Sequence, residues 1–288
     1  MTGTQFLGLA FCVGGPAVIG FAILLWRLRN RAARARWPIH ELPRRPAGES
    51  LRLKVDALNE SLTGWMMLLV GWPILFFVIS TYQSFPGPVG LGLRFATGGL
   101  VAVVALWKIW SLLGAWRDHL LGFEGERFVA GFLDELMREG FEVFHDVPFD
   151  GFNIDHVLVG PRGVFAIETK TRRKSRKAGK GFEWKVTFTG RELEFPWGRD
   201  SFGVEQAERN AGTLRQWIGE STQEKVAVQP VLILPGWLVE RRGRGAVTVI
   251  NPKEARSVCL KDGPTLSPET VARIAFQLRQ KSRIALGK

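Results

Sequence analysis

Three side chains in the stretch NIDHVLVGPRGVFAIETK, residues 153–170, stand at a spacing suited to phosphoryl chemistry: Asp155, Glu168 and Lys170. Two facing carboxylates repel each other unless a cation lies between them. A small set of hard oxygen donors suits Mg²⁺, or Mn²⁺ in its place, which keeps several waters and also takes phosphate oxygens. A metal held by Asp155 and Glu168 would acidify a water and clamp a phosphodiester for in-line displacement. The ammonium two residues after Glu168 would orient that water or offset charge gathering on the phosphate. The same triplet also has a plain reading, a salt-bridged surface hairpin without chemistry.

The element that must position these groups is a β-hairpin. Ile154 to Val159 forms one β-branched, apolar strand, Gly163 to Lys170 the second, and Gly160-Pro161-Arg162-Gly163 the turn between them. Pairing Val159 with Val164 sets Asp155 opposite Glu168 and Asn153 opposite Lys170. Facing residues have Cβ atoms about 4.5–5.5 Å apart, and period-two alternation keeps Glu168 and Lys170 on one face. His156 then points to the other face and reads as structural; His119, His145 and His156 are expected to lie apart.

A third carboxylate belongs to a helix. In EGERFVAGFLDELMREG, residues 124–140, Phe128, Val129, Phe132, Leu133, Leu136 and Met137 form an apolar stripe at helical spacing. Glu126 lies three, seven and eleven residues before Val129, Leu133 and Met137, so it points toward that stripe. A carboxylate aimed at a core needs a partner, which a metal or the Lys170 ammonium would supply. The alternative is a wet residue in the first turn that complements the helix dipole.

Taken together, FEGERF at 123–128, HDV at 145–147, IDHVLVGPRGVFAIETK at 154–170 and EQAERN at 205–210 resemble the nuclease-related domain, a branch of the PD-(D/E)xK nuclease superfamily. The resemblance covers roughly residues 120–250. It implies a restriction-endonuclease-like α/β fold, a mixed sheet flanked by helices. It also implies an active-site set of Glu126, Asp155, Glu168, Lys170 and Gln206, every position filled by a chemically competent residue. Gln206 rests on the resemblance alone; the helix expected over Val204 to Ile218 has ordinary periodicity and does not single it out.

The remaining chain fits that layout. Short strands are expected at Phe182–Phe188, Glu192–Phe195, Val226–Leu234 and Ala246–Ile250, and a last helix from Ser267-Pro268-Glu269 to about Leu286. Between the hairpin and these strands runs TRRKSRKAGKG, with Arg172, Arg173, Lys174, Arg176, Lys177 and Lys180 and no acid among residues 172–180. Three uses are open to this run. It would hold a phosphate backbone by counterion release, with Trp184 and Trp197 stacking on exposed bases; it would hold the domain against anionic lipid; or it is a solvated loop.

Residues 1–116 do not read as a soluble domain. Uncharged or nearly uncharged runs at about 4–26, 62–82 and 91–110 are each long enough to span about 30 Å of hydrocarbon, and Trp26, Trp65, Trp107, Trp110 and Trp116 fall near their ends. The first run lacks the charged start and small-residue cleavage site of a signal peptide. Residues 27–60 carry nine Lys and Arg, whereas 83–90 carry none. The bias places 27–60 in the cytoplasm, the N-terminus outside and residues 117–288 in the cytoplasm. A two-span variant with an interfacial 27–60 segment is the competitor.

The net charge of +12 owes much to that orientation: residues 121–288 hold 27 basic and 22 acidic side chains. The two cysteines, Cys12 and Cys259, match no metal spacing, and no P-loop or dinucleotide fingerprint is present. The expected organisation is a transmembrane region at 1–116, a nuclease-related domain at 117–260 and a C-terminal helix at 261–288. Two functions follow from it: a Mg²⁺- or Mn²⁺-dependent nuclease acting on DNA or RNA at the membrane, or a non-catalytic scaffold or nucleic-acid tether that keeps the fold.

Overall fold

The computed structural model describes residues 44–82, 88–174, 176–177, 181–182, 184–261 and 265–284. The chain divides into two units, Met1–Pro43 and Arg44–Lys288, and every described residue belongs to the second. The expected span at 4–26, most of the arginines of 27–60, and Lys180 lie outside the described residues.

Two long helices come first, α1 (Glu49–Tyr82) and α2 (Pro88–Asp134). The helix expected to start at Glu124 does not start there: it is the C-terminal end of α2, continuous with the apolar run at 91–110. The reason is local. Ser111 to Phe123 contains no proline, and its isolated glycines, Gly114 and Gly122, cost a helix only about 1 kcal/mol each. Glu126 is therefore deep in a helix rather than in a first turn. The helix passes into a 3₁₀ turn, Glu135–Glu139, and ends at Gly140, whose φ of 84° is the left-handed conformation that closes a helix.

The helices expose apolar side chains: Met67 and Val70 on α1 and Phe95, Leu100, Val103, Trp107 and Trp110 on α2 are each at least 60% exposed. Among the described residues, one helical stretch, Phe95–Glu139, is long and apolar enough to cross a membrane, and only 6% of its apolar window is buried. The expected span at 62–82 is helical within α1.

The domain is built on a five-stranded mixed sheet, ordered β1 (Glu142–Phe149), β2 (Phe152–Gly160), β3 (Gly163–Thr169), β9 (Val228–Ile233) and β11 (Thr248–Ile250). The first two pairings are antiparallel and the last two parallel. Two strands, β4 (Arg176–Lys177) and β5 (Gly181–Phe182), pair with each other, and β6 (Lys185–Phe188), β7 (Leu193–Phe195), β8 (Gly198–Asp200) and β10 (Leu238–Arg241) make a separate sheet. On one face of the main sheet, Val157, Val159, Val164 and Ala166 pack against α3 (Phe202–Thr222) and α5 (Pro268–Ile284). On the other, Leu158, Phe165 and Ile167 pack against the end of α2 and against α4 (Ala255–Cys259).

The expected hairpin register holds: Val159 pairs with Val164 and His156 with Ile167. The ladder stops there, one residue short of Asp155 and Glu168. Pairing also lapses on the other side of β2: His145 faces His156 and Val147 faces Ile154, but Asp146 and Asp155 do not pair. Asp146 has φ 49°, a left-handed conformation that aspartate adopts more readily than most residues. Its carboxylate accepts from the Arg45 guanidinium, from Ser50 N–H at 2.9 Å, from Ser50 Oγ at 2.8 Å and from Asn153 Nδ2 at 3.0 Å. Buried Asp146 thereby ties the foot of α1 to the sheet.

One expectation about the histidines is overturned. His145 and His156 do not lie apart: they are cross-strand partners on β1 and β2 with Nδ1 atoms 2.8 Å apart. His156, fully buried, is held well below its ordinary pKa, first by burial and then by His145. The β1 strand, which the sequence reading did not resolve, is what brings them together.

Candidate active site

Where the β2–β3 ladder ends, side chains take over from backbone pairing. Asp155 Oδ2 accepts the Thr169 N–H at 2.7 Å, and the Lys170 N–H continues the sheet by donating to Ile233 O at 3.0 Å. Alternation puts Asp155, Glu168 and Lys170 on the face that carries Val157, Val159, Val164 and Ala166, under α3. Lys170 Nζ lies 2.7 Å from Glu168 Oε1 and donates to Gln206 Oε1 at 2.9 Å. The second Glu168 oxygen accepts from Asn210 Nδ2 at 2.8 Å.

Glu126 approaches from α2, which lies on the opposite face, so it reaches the site past the ends of the strands. Gly125 makes that approach possible. A β-carbon there would overlap the Thr171 hydroxyl, just beyond β3, so only glycine lets α2 come this close. Glu126 is 6% exposed and its Oε2 has no hydrogen-bond partner among the described residues.

The electrostatics follow from crowding carboxylates in a poorly hydrated place. Burial pushes the Glu126 carboxyl up to about 8, helped by Asp146 and Glu168 and opposed by Lys170 and Lys54. Asp155 is raised well above the carboxylate range by burial, then by Glu168 and Glu126, although the Thr169 N–H favours its charged form. Glu168 is raised by burial despite Lys170 and Asn210. Such perturbation, gathered in one cleft, marks a functional-site candidate.

The cleft has a volume of about 620 Å³ and is lined by Glu126, Asp155, Glu168, Lys170 and Gln206, along with Arg172 and residues of the α1 foot. All five residues proposed from sequence thus meet in one place. Of the basic run, Arg172 lines the cleft and pairs with Asp200 at 2.7 Å, while Arg173 pairs with Asp118 at 2.9 Å on the surface. Lys174 lies beside Gly236, away from the carboxylates. Arg176 and Lys177 form β4, and nothing is described of their side chains. Trp184 and Trp197 are half exposed but do not line this cleft.

Asn210 is the site residue that sequence reasoning missed. It is fully inside, one turn after Gln206 on the buried side of α3 between Ala207, Ala211 and Leu214. Its signal was available: an amide on an apolar helix stripe, four residues after another amide, needs a buried polar partner.

Among the described residues no three His, Cys, Asp or Glu side chains stand together as a metal cage. A cage is not what Mg²⁺ requires; one or two carboxylates, waters and a substrate phosphate suffice. Asp155 and Glu168 offer two hard donors in a cleft, and the unpartnered Glu126 oxygen can take a metal-bound water. Three carboxylates pushed upward by burial, Glu126 and Asp155 also by neighbouring carboxylates, are relieved by a divalent cation. The residues present fit such an ion.

Residues 121–235 match the nuclease-related domain family, so a nuclease-related domain occupies that part of the chain. The mixed α/β architecture fits a nuclease-like domain. No curated protein and no solved structure matches the chain.

Proposed function

We propose that the chain is a membrane-anchored, metal-dependent nuclease that hydrolyses phosphodiesters of DNA or RNA on the cytoplasmic side. One observation carries the reading: Lys170 is fixed between Glu168 and Gln206 in a cleft that also holds Asp155 and Glu126. A Mg²⁺ or Mn²⁺ ion bound there would polarise the phosphate and lower the pKa of a water. Asp155 and Glu168 would hold it. Lys170 Nζ, already an ammonium donor at 2.7 Å from Glu168, is placed to orient the attacking water and to offset charge on the phosphate. Gln206 Oε1 keeps that ammonium aimed into the cleft, and Asn210 holds Glu168 from the far side. Glu126 would accept a proton or a hydrogen bond from metal-bound water. A tether that binds without cutting is the second reading. The observation in its favour is that Lys170 and Asn210 already satisfy both oxygens of Glu168.

Membrane attachment is supported by the exposed apolar surface of α1 and α2, since contiguous exposed apolar patches mark membrane or partner contact. The foot of α1 and the domain are joined through Arg45, Ser50 and Asp146, so both lie on the same side of any membrane the helices cross. The arginine bias makes that side the cytoplasm. A reporter fused at the C-terminus should report cytoplasm and a tag at residue 2 the exterior; an exterior C-terminus would overturn the topology and the proposed metal and substrate supply.

Binding charge should lie in the basic run, with part of it already spent. Replacing Arg172, Arg173, Lys174, Arg176 and Lys177 by alanine should weaken nucleic-acid binding at physiological salt. Because Arg172 and Arg173 are paired to acids, the single-strand salt slope should fall by about 2, not by about 3.5 as five free charges would give. An unchanged slope, with loss confined to binding of anionic liposomes, would make the run a lipid contact.

A further inference from the structure

Part of the cleft wall is not made by the nuclease-related segment. It is made by the foot of α1: Ser50, Leu51 and Lys54, all outside residues 121–235. This wall is fixed, not draped. Asp146 accepts from Arg45 and twice from Ser50. A β-carbon on Gly122 would stand 3.0 Å from Leu51 Cδ1, and one on Gly48 would stand 2.7 Å from the Phe123 ring, so α1 and α2 approach here as closely as glycine permits. Gly48 has φ 73°, a left-handed turn directly before α1 begins at Glu49.

Lys54 lies one turn after Ser50 on the same helix face, exposed, with no ion pair or hydrogen bond among the described residues. Its neighbours along the helix are otherwise engaged: Arg52 is committed to Glu49 and Asp56. Lys54 lines the same cleft as the three carboxylates, on a helix whose position is fixed, and its charge acts on Glu126. That placement suits a group whose anion arrives with the substrate.

We propose that Lys54 is a substrate-binding residue that contacts a phosphate of the nucleic acid lying in the cleft, so that the membrane helix completes the binding site. The proposal rests on the nuclease reading above and extends it to a helix outside the family segment. The metal site and Lys170 act at the scissile phosphate; Lys54, on the α1 part of the wall, takes a neighbouring one. A fragment beginning at residue 117 would lack this wall altogether, so the full chain is the form to test.

The test uses the detergent-solubilised full chain and a labelled single-stranded oligonucleotide, with binding measured in EDTA and cleavage in Mn²⁺. Lys54→Ala should raise KM and the EDTA dissociation constant about tenfold, the worth of one charge-assisted contact, while kcat stays within about threefold. Its salt slope should fall by about 0.7, and Lys54→Arg should recover most of the binding. Arg215→Ala, on the exposed outer side of α3, removes an equal charge away from the cleft and serves as the control. If the wild type cuts and Lys54→Ala matches Arg215→Ala in KM, dissociation constant and slope, the Lys54 proposal is overturned and the nuclease reading stands. If the wild type neither binds nor cuts, both fall together.

Discussion

Lys170→Ala should lower the single-turnover cleavage rate at saturating Mn²⁺ by about a thousandfold, the loss seen when one preorganised donor to a developing charge is removed. The side chain is rigidly placed for that role, between Glu168 Oε1 at 2.7 Å and Gln206 Oε1 at 2.9 Å. Two effects add. The ammonium is lost from the reacting phosphate, and Glu168, 2% exposed, loses the charge that most opposes its burial. Its carboxyl then rises further, and a proton competes with the metal for the carboxylate. Raising the metal concentration or the pH should recover the second loss but not the first. Lys170→Arg should not rescue, because a planar fork does not reproduce a point ammonium in an 18%-exposed niche. Nucleic-acid affinity in EDTA should change by less than about threefold, since Lys170 is already paired with Glu168 and Gln206 and offers little free charge to the bound strand. Cleavage by Lys170→Ala within tenfold of wild type would remove Lys170 from the chemistry.

The second large effect is on stability. Glu126 has an ordinary value of 4.5, raised to about 8 in the fold by burial and neighbouring carboxylates. Raising a carboxyl in the native state means that its charged form is disfavoured there. Below about pH 4.5 the group is protonated in both states and costs nothing; as pH rises toward 8 the unfolded state gains by ionising and the native state does not, so stability falls across that window. At about 1.4 kcal/mol per unit, the loss reaches up to about 5 kcal/mol above pH 8 without metal. Glu126→Gln should therefore be more stable than wild type at pH 8 in EDTA and equal to it near pH 4.5. Mg²⁺ should narrow the pH 8 difference by stabilising the wild type, because the ion binds the native carboxylates. Thermal unfolding of both proteins across pH, with and without Mg²⁺, reads this directly. A difference that does not grow with pH would show that Glu126 is hydrated.

The parts of this site that the sequence revealed are those set by local periodicity. The hairpin register followed from a tight turn and alternation, and it held for every pair from Gly160–Gly163 to His156–Ile167. Glu126 was legible as an inward carboxylate because its helix is amphipathic. What stayed hidden depends on distant chain. The β1 strand carries HDV with a positive-φ aspartate in its middle, which breaks the alternation a strand reading relies on. Its partners Arg45 and Ser50 are about a hundred residues away, and no local pattern announces them. The pairing of His145 with His156 follows from β1 and was missed with it. Asn210 was legible only as a buried amide in need of a partner; that the partner is Glu168 is decided by the packing of α3 on the sheet. The continuity of α2 through residue 116 was read as a boundary because composition changes there, from apolar to mixed, although nothing in Ser111 to Phe123 stops a helix.

The central claim is that this cleft cuts phosphodiester bonds with the help of a divalent metal. The most direct measurement is incubation of the full chain with end-labelled single-stranded, double-stranded and branched DNA and with RNA, in Mg²⁺, in Mn²⁺ and in EDTA, resolving the products by length. At least one substrate should be shortened in metal and none in EDTA, and Lys170→Ala should abolish the shortening while still retarding the same substrate. Retardation of nucleic acid by the wild type, with every substrate intact in both metals, would contradict the claim and leave the chain as a membrane tether that has kept a nuclease fold.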